Sequence, residues 1–490
     1  MTDAGRPRTV QRPFAPRRHR EVMPLSRRDF VQHSAVTGAG VALAGSVGVL
    51  TTAPGAIAAP GRQGLGYGPL IPDPDGILAL PEGFSYRIIT HAGRTTLDSG
   101  EPTPSNHDAT GAFEGPRRSD LLVVNHELKG PRAEWEHPVP LTEGLVYDPA
   151  AAGGCTVVEI SHGGEYVAEW VAIAGTSTNC AGGTTPWGTW LTCEENSDRA
   201  GENGMTRDHG YVFEVDPYDR TACRDPRPVK ALGRFDHEAV VVDPKQGYFY
   251  LTEDDKNPNG LFYRWVPPHG FRPGRGTLRT LAEEAGTLQA ARCFDSGGRY
   301  VDDLSRATVT GTVYGVDWAT VPDRDAREAP LREQFRAGAV TRGQKLEGMW
   351  WGDGGAYFVC SYARDGQSPG APHDGQVWFY NPRRRTMTLK VILGAEDTFD
   401  GPDNITVSPY GGLIIAEDGD GLQHLFGATD GGRTYELARN ELNIGTVEAP
   451  EYSEFTGPVF STDRRTLYAS IQEPGILLAI TGPWRHQPRA

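Results

Sequence analysis

One unit recurs along this chain between Leu121 and Ile480. It has an acidic or polar start, a short apolar strand, a Pro/Gly/Asp turn, a second apolar strand, a polar loop, and a strand that ends near Asp-Pro or Asn-Pro. In one copy Asp236–Pro244 leads through the turn Lys245–Gly247 into Tyr248–Asp254, and Leu261–Pro267 closes it. In another, Leu346–Trp351 turns at Asp353–Gly355 into Ala356–Ser361 and closes at Val377–Pro382. Further copies run from Leu121 to Ile160, from Thr185 to Pro217, from Gly401 through Asp418, and from Glu454 to Ile480. Short strands in units above about 40 residues are the signature of propeller blades. With 62 glycines and 38 prolines along the chain, turns between strands are favoured over long helices.

The six copies predict an all-β fold: a six-bladed β-propeller with short helical insertions and a disordered N-terminal signal segment. A β-sandwich or paired barrels is the alternative use of the same strands. Residues 268–344 fit the repeat poorly, and their Ala282–Ala285 and Pro330–Phe335 pieces read as short helices or insertions.

The N-terminus reads differently. Ser26-Arg27-Arg28-Asp29-Phe30-Val31 precedes a Gly/Ala-rich apolar stretch, Ala35–Leu50, and Ala56-Ile57-Ala58 follows as a small-residue cleavage site. Paired arginines in this setting predict a twin-arginine signal over residues 1–58 and a single propeller domain over 59–490. The stretch is short and glycine-studded for a membrane span. The expectation is export by the twin-arginine machinery to a secreted, periplasmic or cell-wall location, with no stable span after cleavage.

In a propeller the innermost strand of each blade lines a central channel. The start of that strand and the end of the next can both point into it, and in this chain those positions are acidic. Glu127, Glu194, Glu195, Glu253, Asp254, Glu417 and Asp418 close second strands. Glu238, Glu347, Asp403 and Glu454 open first strands, and Asp400 lies just before one. A solvated strand end accounts for any one of these acids alone, but not for their recurrence at equivalent places. Carboxylates gathered at one axis raise one another's pKa, and bound cations relieve this. Oxygen-rich sets suit calcium. The thiol of Cys180, in the glycine-rich Asn179-Cys180-Ala181-Gly182-Gly183, suits a softer metal such as iron or zinc.

His126 and His237 each precede a candidate glutamate, so strand alternation turns them to the opposite face, into packing or hydrogen bonding. Cys193 reads as packing, and Cys155 and Cys360 as buried thiols. No C-x-x-C pair, G-x-S-x-G elbow, P-loop or H-E-x-x-H is present. A formal charge of −15 disfavours nucleic acid as a partner.

Several blocks together resemble the PhoX-type alkaline phosphatases. They are Asn179-Cys180-Ala181-Gly182-Gly183 with Thr185-Pro186-Trp187-Gly188-Thr189 and Cys193-Glu194-Glu195-Asn196; Asn125-His126-Glu127; Arg234-Phe235-Asp236-His237-Glu238; and Glu454-Phe455-Thr456-Gly457-Pro458 with Arg465-Thr466-Leu467-Tyr468. The resemblance implies a six-bladed propeller with a twin-arginine signal and a cluster of iron, Fe(III), and calcium, Ca2+. It implies that Cys180 binds iron, and that Glu127, Glu195, Glu238 and Glu347 are carboxylate ligands, Glu195 rather than Glu194. Asp254, Asp403, Glu417 and Glu454 are implied on the calcium side. Where the family carries R-x-E, this chain has Lys345-Leu346-Glu347, which makes Lys345 and Glu347 the candidate catalytic residues. Where the family has Q-H-P-G, this chain has Gln472-Glu473-Pro474-Gly475.

The activity so implied is metal-dependent hydrolysis of phosphate monoesters, with a small phosphorylated substrate as the partner. A calcium-dependent propeller lactonase or phosphotriesterase, or a non-catalytic calcium-binding propeller, is the alternative.

Overall fold

In the computed structural model the described residues are 64–395 and 397–487. The expected signal, residues 1–58, lies outside them. The described residues contain β-strands and single turns of 3-10 helix, with no α-helix among them. No helix among them is long and apolar enough to cross a membrane.

The strands follow from two residue patterns. In Thr386–Leu393 the buried Met387, Leu389, Val391 and Leu393 alternate with half-buried neighbours, which suits a strand with one face on the core. His237–Val242 is buried at every position, because neighbouring strands cover both of its faces. Phe249, Phe358 and Phe426 are fully buried in such strands, and each contributes about 1.5–3 kcal/mol.

The strands form antiparallel meanders. His107–Glu114, Asp120–His126, Gly153–Ile160 and Tyr166–Thr176 make one sheet, and Asn179–Thr184, Trp190–Glu194 and Val212–Val215 the next. Two further meanders, starting at His237–Val242 and at Leu346–Gly352, join into a single sheet. The strand Val313–Thr320 connects them by pairing with Thr287–Phe294 of one and Thr386–Leu393 of the other. A meander starting at Pro402–Val407 follows, and another starting at Phe455–Phe460. The last gains its fourth strand from the other end of the chain, where Ser85–His91 pairs with Ile476–Thr481.

The first strands pack side by side in chain order, and Phe455–Phe460 packs back on His107–Glu114. The arrangement is therefore propeller-like, rather than a sandwich or paired barrels.

Two expectations need correction. Residues 268–344, two pieces of which read as short helices or insertions, are largely part of the sheet. They supply the ladder strands Thr287–Phe294 and Val313–Thr320, Ala282–Ala285 forms a turn, Pro330–Phe335 holds the 3-10 turn Leu331–Glu333, and two more 3-10 turns lie at Leu278–Thr280 and Leu304–Arg306. Polar residues such as Gln289 and Arg292 interrupt the apolar run there, while Leu288, Ala290 and Ala291 still reach the core. The first meander also begins one strand earlier than Leu121, at His107, because the glycine- and alanine-containing strand His107–Glu114 carries little apolar signal. All six cysteines are buried free thiols.

Candidate metal centre

Each first strand is bulged where it reaches the hub. Register against the second strand shifts between His107 and Thr110, Asn179 and Gly182, His237 and Val240, Leu346 and Met349, Pro402 and Ile405, and Thr456 and Val459. A bulge takes a residue out of the ladder and re-aims its side chain. Just inside five of these bulges, always second in its strand, stands Asp108, Cys180, Glu238, Glu347 or Asp403. In four of the five, the residue two places earlier has left-handed backbone: Asn106 (φ 49°), Thr178 (φ 51°), Lys345 (φ 43°) and Gly401 (φ 52°). That conformation costs a non-glycine residue about 1–2 kcal/mol, so the surrounding structure must hold it. The remaining first strand has Thr456 at its second position, and Glu454 just before the strand stands in as donor.

A second ring follows the ends of the second strands: Glu127, Glu195, Asp254, Ser361, Asp418 and Gln472. Side chains alternate along a strand, so the residue before each of these faces away from the hub. Glu194 bonds His209, Glu253 accepts from Tyr263 Oη at 2.7 Å, and Glu417 lies 2.6 Å from Nδ1 of His424. Glu417 also accepts the amide of Asp400 at 2.8 Å. Glu417 was expected among the calcium ligands; its carboxylate instead points into its own sheet, and Asp418 takes the hub position. The two histidines behave as alternation requires. His126 pairs with the Ser105 carbonyl and Thr156 Oγ1, each at 3.0 Å, and His237 with the Gly233 carbonyl at 3.1 Å. Cys193 packs in a hydrophobic cluster.

Three donor groups line up in the hub. Cys180, Glu195 and Glu238 form one; Glu238, Glu347 and Asp403 the second; Asp403, Asp418 and Glu454 the third. Within each group the ligand atoms lie within 4.8 Å of one another, and Glu238 and Asp403 are each shared by two groups. Glu127 and Asp108 flank the row, tied to Gln472 Nε2 at 2.6 Å and 3.3 Å. Lys345 Nζ lies 2.9 Å from Glu347 Oε1 and 3.2 Å from Asp254 Oδ2.

The hub carboxylates are crowded together, and each makes its neighbours harder to ionise. Burial and the Glu127 and Asp403 charges push the Asp108 carboxyl well above the ordinary range. Burial does the same to Glu238, helped by Asp403 and Glu347, and to Glu195, helped by Asp254 and Glu127. Glu347 and Glu454 are raised likewise, and Asp403 is pushed up to about 7 by burial and Asp418. The Cys180 thiol is raised by burial, then by Glu238 and Glu195. Burial would lower the Lys345 ammonium, but Glu347 and Asp254 hold it above its usual value.

The residues present fit a metal cluster. Asp108 Oδ1 is buried with no hydrogen-bond partner, one thiol stands among carboxylates at one end of the row, and only oxygen donors stand at the other. Cations between these atoms would turn mutual repulsion into shared attraction.

Of the residues singled out in the sequence, Cys180, Glu195, Glu238, Glu347, Asp403 and Glu454 share the three groups, Glu127, Asp254 and Lys345 border them, and Glu417 does not belong. Sequence reasoning missed Asp108 as a hub donor. The signal was there: His107-Asp108-Ala109 repeats His237-Glu238-Ala239 with aspartate for glutamate. Gln472 was also missed, as a neutral residue among acids.

The family described as alkaline phosphatase PhoX matches residues 65–170 and 162–475. Among solved structures, Pseudomonas fluorescens PhoX in complex with vanadate, a transition state analogue, aligns with a TM-score of 0.64 at 19% identity, over 86% of this chain and 98% of that one. A gluconolactonase from Xanthomonas campestris aligns with a TM-score of 0.38 at 10% identity, over 85% and 98% of the two chains. A virginiamycin B lyase from Staphylococcus aureus aligns with a TM-score of 0.33 at 10% identity, over 81% and 99%. No curated protein matches the sequence.

Proposed function

Because this chain belongs to the PhoX alkaline phosphatase family, a family of metal-dependent phosphatases, we propose that it hydrolyses phosphate monoesters in the acidic hub, with iron and calcium held there. The family does not favour the lactonase, phosphotriesterase or purely binding readings. The observation that carries the proposal is the row of three overlapping donor groups, soft at the Cys180 end and hard at the Glu454 end. Cys180, Glu195 and Glu238 would hold the iron side, and Asp403, Asp418 and Glu454 the calcium side. Asp108, Glu127 and Asp254 complete the surround. We further read the meanders as six blades, supported by the circuit of first strands.

When bound, the metals supply the positive charge that binds and polarises a phosphoryl group. The protein's own groups do the rest. Lys345 carries three N–H donors, and two point at Glu347 and Asp254, which leaves one for a phosphoryl oxygen. Glu347 and Asp254 keep that ammonium charged and fixed before substrate arrives, which is the preorganisation that stabilises a developing anion. The pairing of arginines Arg27 and Arg28 with the apolar stretch after them supports export by the twin-arginine route.

The test is elemental analysis of the purified protein, followed by assay with 4-nitrophenyl phosphate and with bis(4-nitrophenyl) phosphate. Iron with calcium, and turnover of the monoester in preference to the diester, is the expected result. A fully metal-loaded protein that leaves the monoester intact would overturn the proposal.

A further inference from the structure

Glu194 belongs to none of the three donor groups, yet its carboxylate is fully buried and saturated. Oε1 accepts the Ser177 amide at 3.0 Å and faces His209 Nδ1 at 2.6 Å. Oε2 accepts the amides of Gly210 at 3.0 Å and Tyr211 at 3.1 Å. His209 is backed by Asp148, 3.4 Å from Nε2, and that carboxylate also takes the amides of Thr206 and Arg207. So many bonds on one buried carboxylate make a rigid post.

The post holds a strained turn. Ser177 leads directly into Thr178, which has left-handed backbone at φ 51°. The Thr178 carbonyl accepts two amides, that of Cys180 at 3.0 Å and that of Glu195 at 2.9 Å. Asn196 Nδ2 steadies the same residue through Thr178 Oγ1 at 3.2 Å. Two of the three residues in the first donor group therefore hang from one carbonyl, and the turn carrying that carbonyl is pinned by Glu194.

We infer that Glu194, backed by His209, is a positioning residue for the Cys180–Glu195 end of the metal centre. The inference rests on the metal reading given above. Without the pin, Thr178 is free to leave its unfavourable conformation, and the amides of Cys180 and Glu195 lose their common acceptor. The spacing of thiol and carboxylate is then no longer set. Outer groups of this kind fix the orientation of metal-binding side chains, and losing one typically costs about 10- to 100-fold in metal affinity. Glu417 with His424 has the corresponding place behind Asp418, in the third donor group, and provides a matched control.

The full-length protein, dialysed free of metal and titrated with Co2+, reports the thiolate site directly through the near-ultraviolet sulfur-to-cobalt charge-transfer band. Wild type is expected to develop the band. Glu194→Ala should need about 10- to 100-fold more Co2+ to reach half-development, and Glu194→Gln, whose amide nitrogen would face backbone N–H groups that need an acceptor, should recover little of the loss. Glu417→Ala should titrate as wild type. Should Glu194→Ala fail to fold, His209→Gln loosens the same post, and it should shift the titration by about tenfold. Titrations of the Glu194 and His209 variants that overlay wild type would overturn the positioning role. A wild type with no sulfur-to-cobalt band would instead bring down the metal reading on which the role depends.

Discussion

Lys345 Nζ and Glu347 Oε1 stand 2.9 Å apart, from residues two places apart in sequence, with Lys345 in left-handed backbone immediately before its strand. The chain thus delivers its one candidate phosphate donor and a hub carboxylate from a single strand start. Lys345→Met should lower kcat/KM for an aryl phosphate by about 100-fold or more, the usual cost of removing one preorganised donor to a developing anion. Lys345→Arg keeps the charge and adds a fork, and it should retain far more activity. Steady-state kinetics at equal metal content checks both.

Cys180 is the one soft donor in the row. Cys180→Ser should cut iron content by at least about tenfold and leave calcium largely in place, read by elemental analysis of protein purified in parallel with wild type. An equal loss of both metals would mean that the two ends of the row bind as one unit.

Chelation should destabilise the whole domain, because the hub acids are left to repel one another. A metal present at 100 times its dissociation constant stabilises the folded state by about 2.7 kcal/mol. Dialysis against a chelator should therefore lower the thermal midpoint, and calcium added back should recover part of it.

His209 gives a pH dependence on the alkaline side. Burial alone would lower its pKa, but Glu194 and Asp148 outweigh burial and raise it from 6.5 to about 9. The protonated ring therefore contributes stability that is fully present below about 6.5 and is lost as pH rises through about 9. Thermal melts across this window should show wild type losing stability with pH more steeply than His209→Gln.

Ser85–His91 closes the last sheet against Ile476–Thr481, where Ile476 to Ile480 are all buried. Removing residues 64–92 exposes that apolar edge as a template for other chains. The truncated protein should be recovered as aggregate, whereas wild type elutes as a discrete species on size exclusion.

Much of this site was legible before the structure, for a physical reason. A meander returns to the same radius once per unit, so acids at equivalent places in Tyr248–Asp254 and Leu413–Asp418 had to approach a common axis. What the pattern did not resolve was phase. Glu417 and Asp418 are both acidic, and the one-residue difference that turns Glu417 to His424 and Asp418 to the hub is set by where the strand ends. Asp108 escaped because His107–Glu114 has too few large apolar residues to announce a strand, and its bulge is visible only in the ladder. The pairing of Ser85–His91 with the far end of the chain leaves no local trace at all.

That last pairing also sets an order of events. Ser85–His91 is made well before its partner Ile476–Thr481, with the first strand of every meander between them in the chain. The circle cannot be sealed by growth from one end; it needs both partners and every strand between them. The pairing that completes the last sheet therefore also ties the circuit together, and the six strand starts that carry the hub side chains all lie between its two partners in the chain.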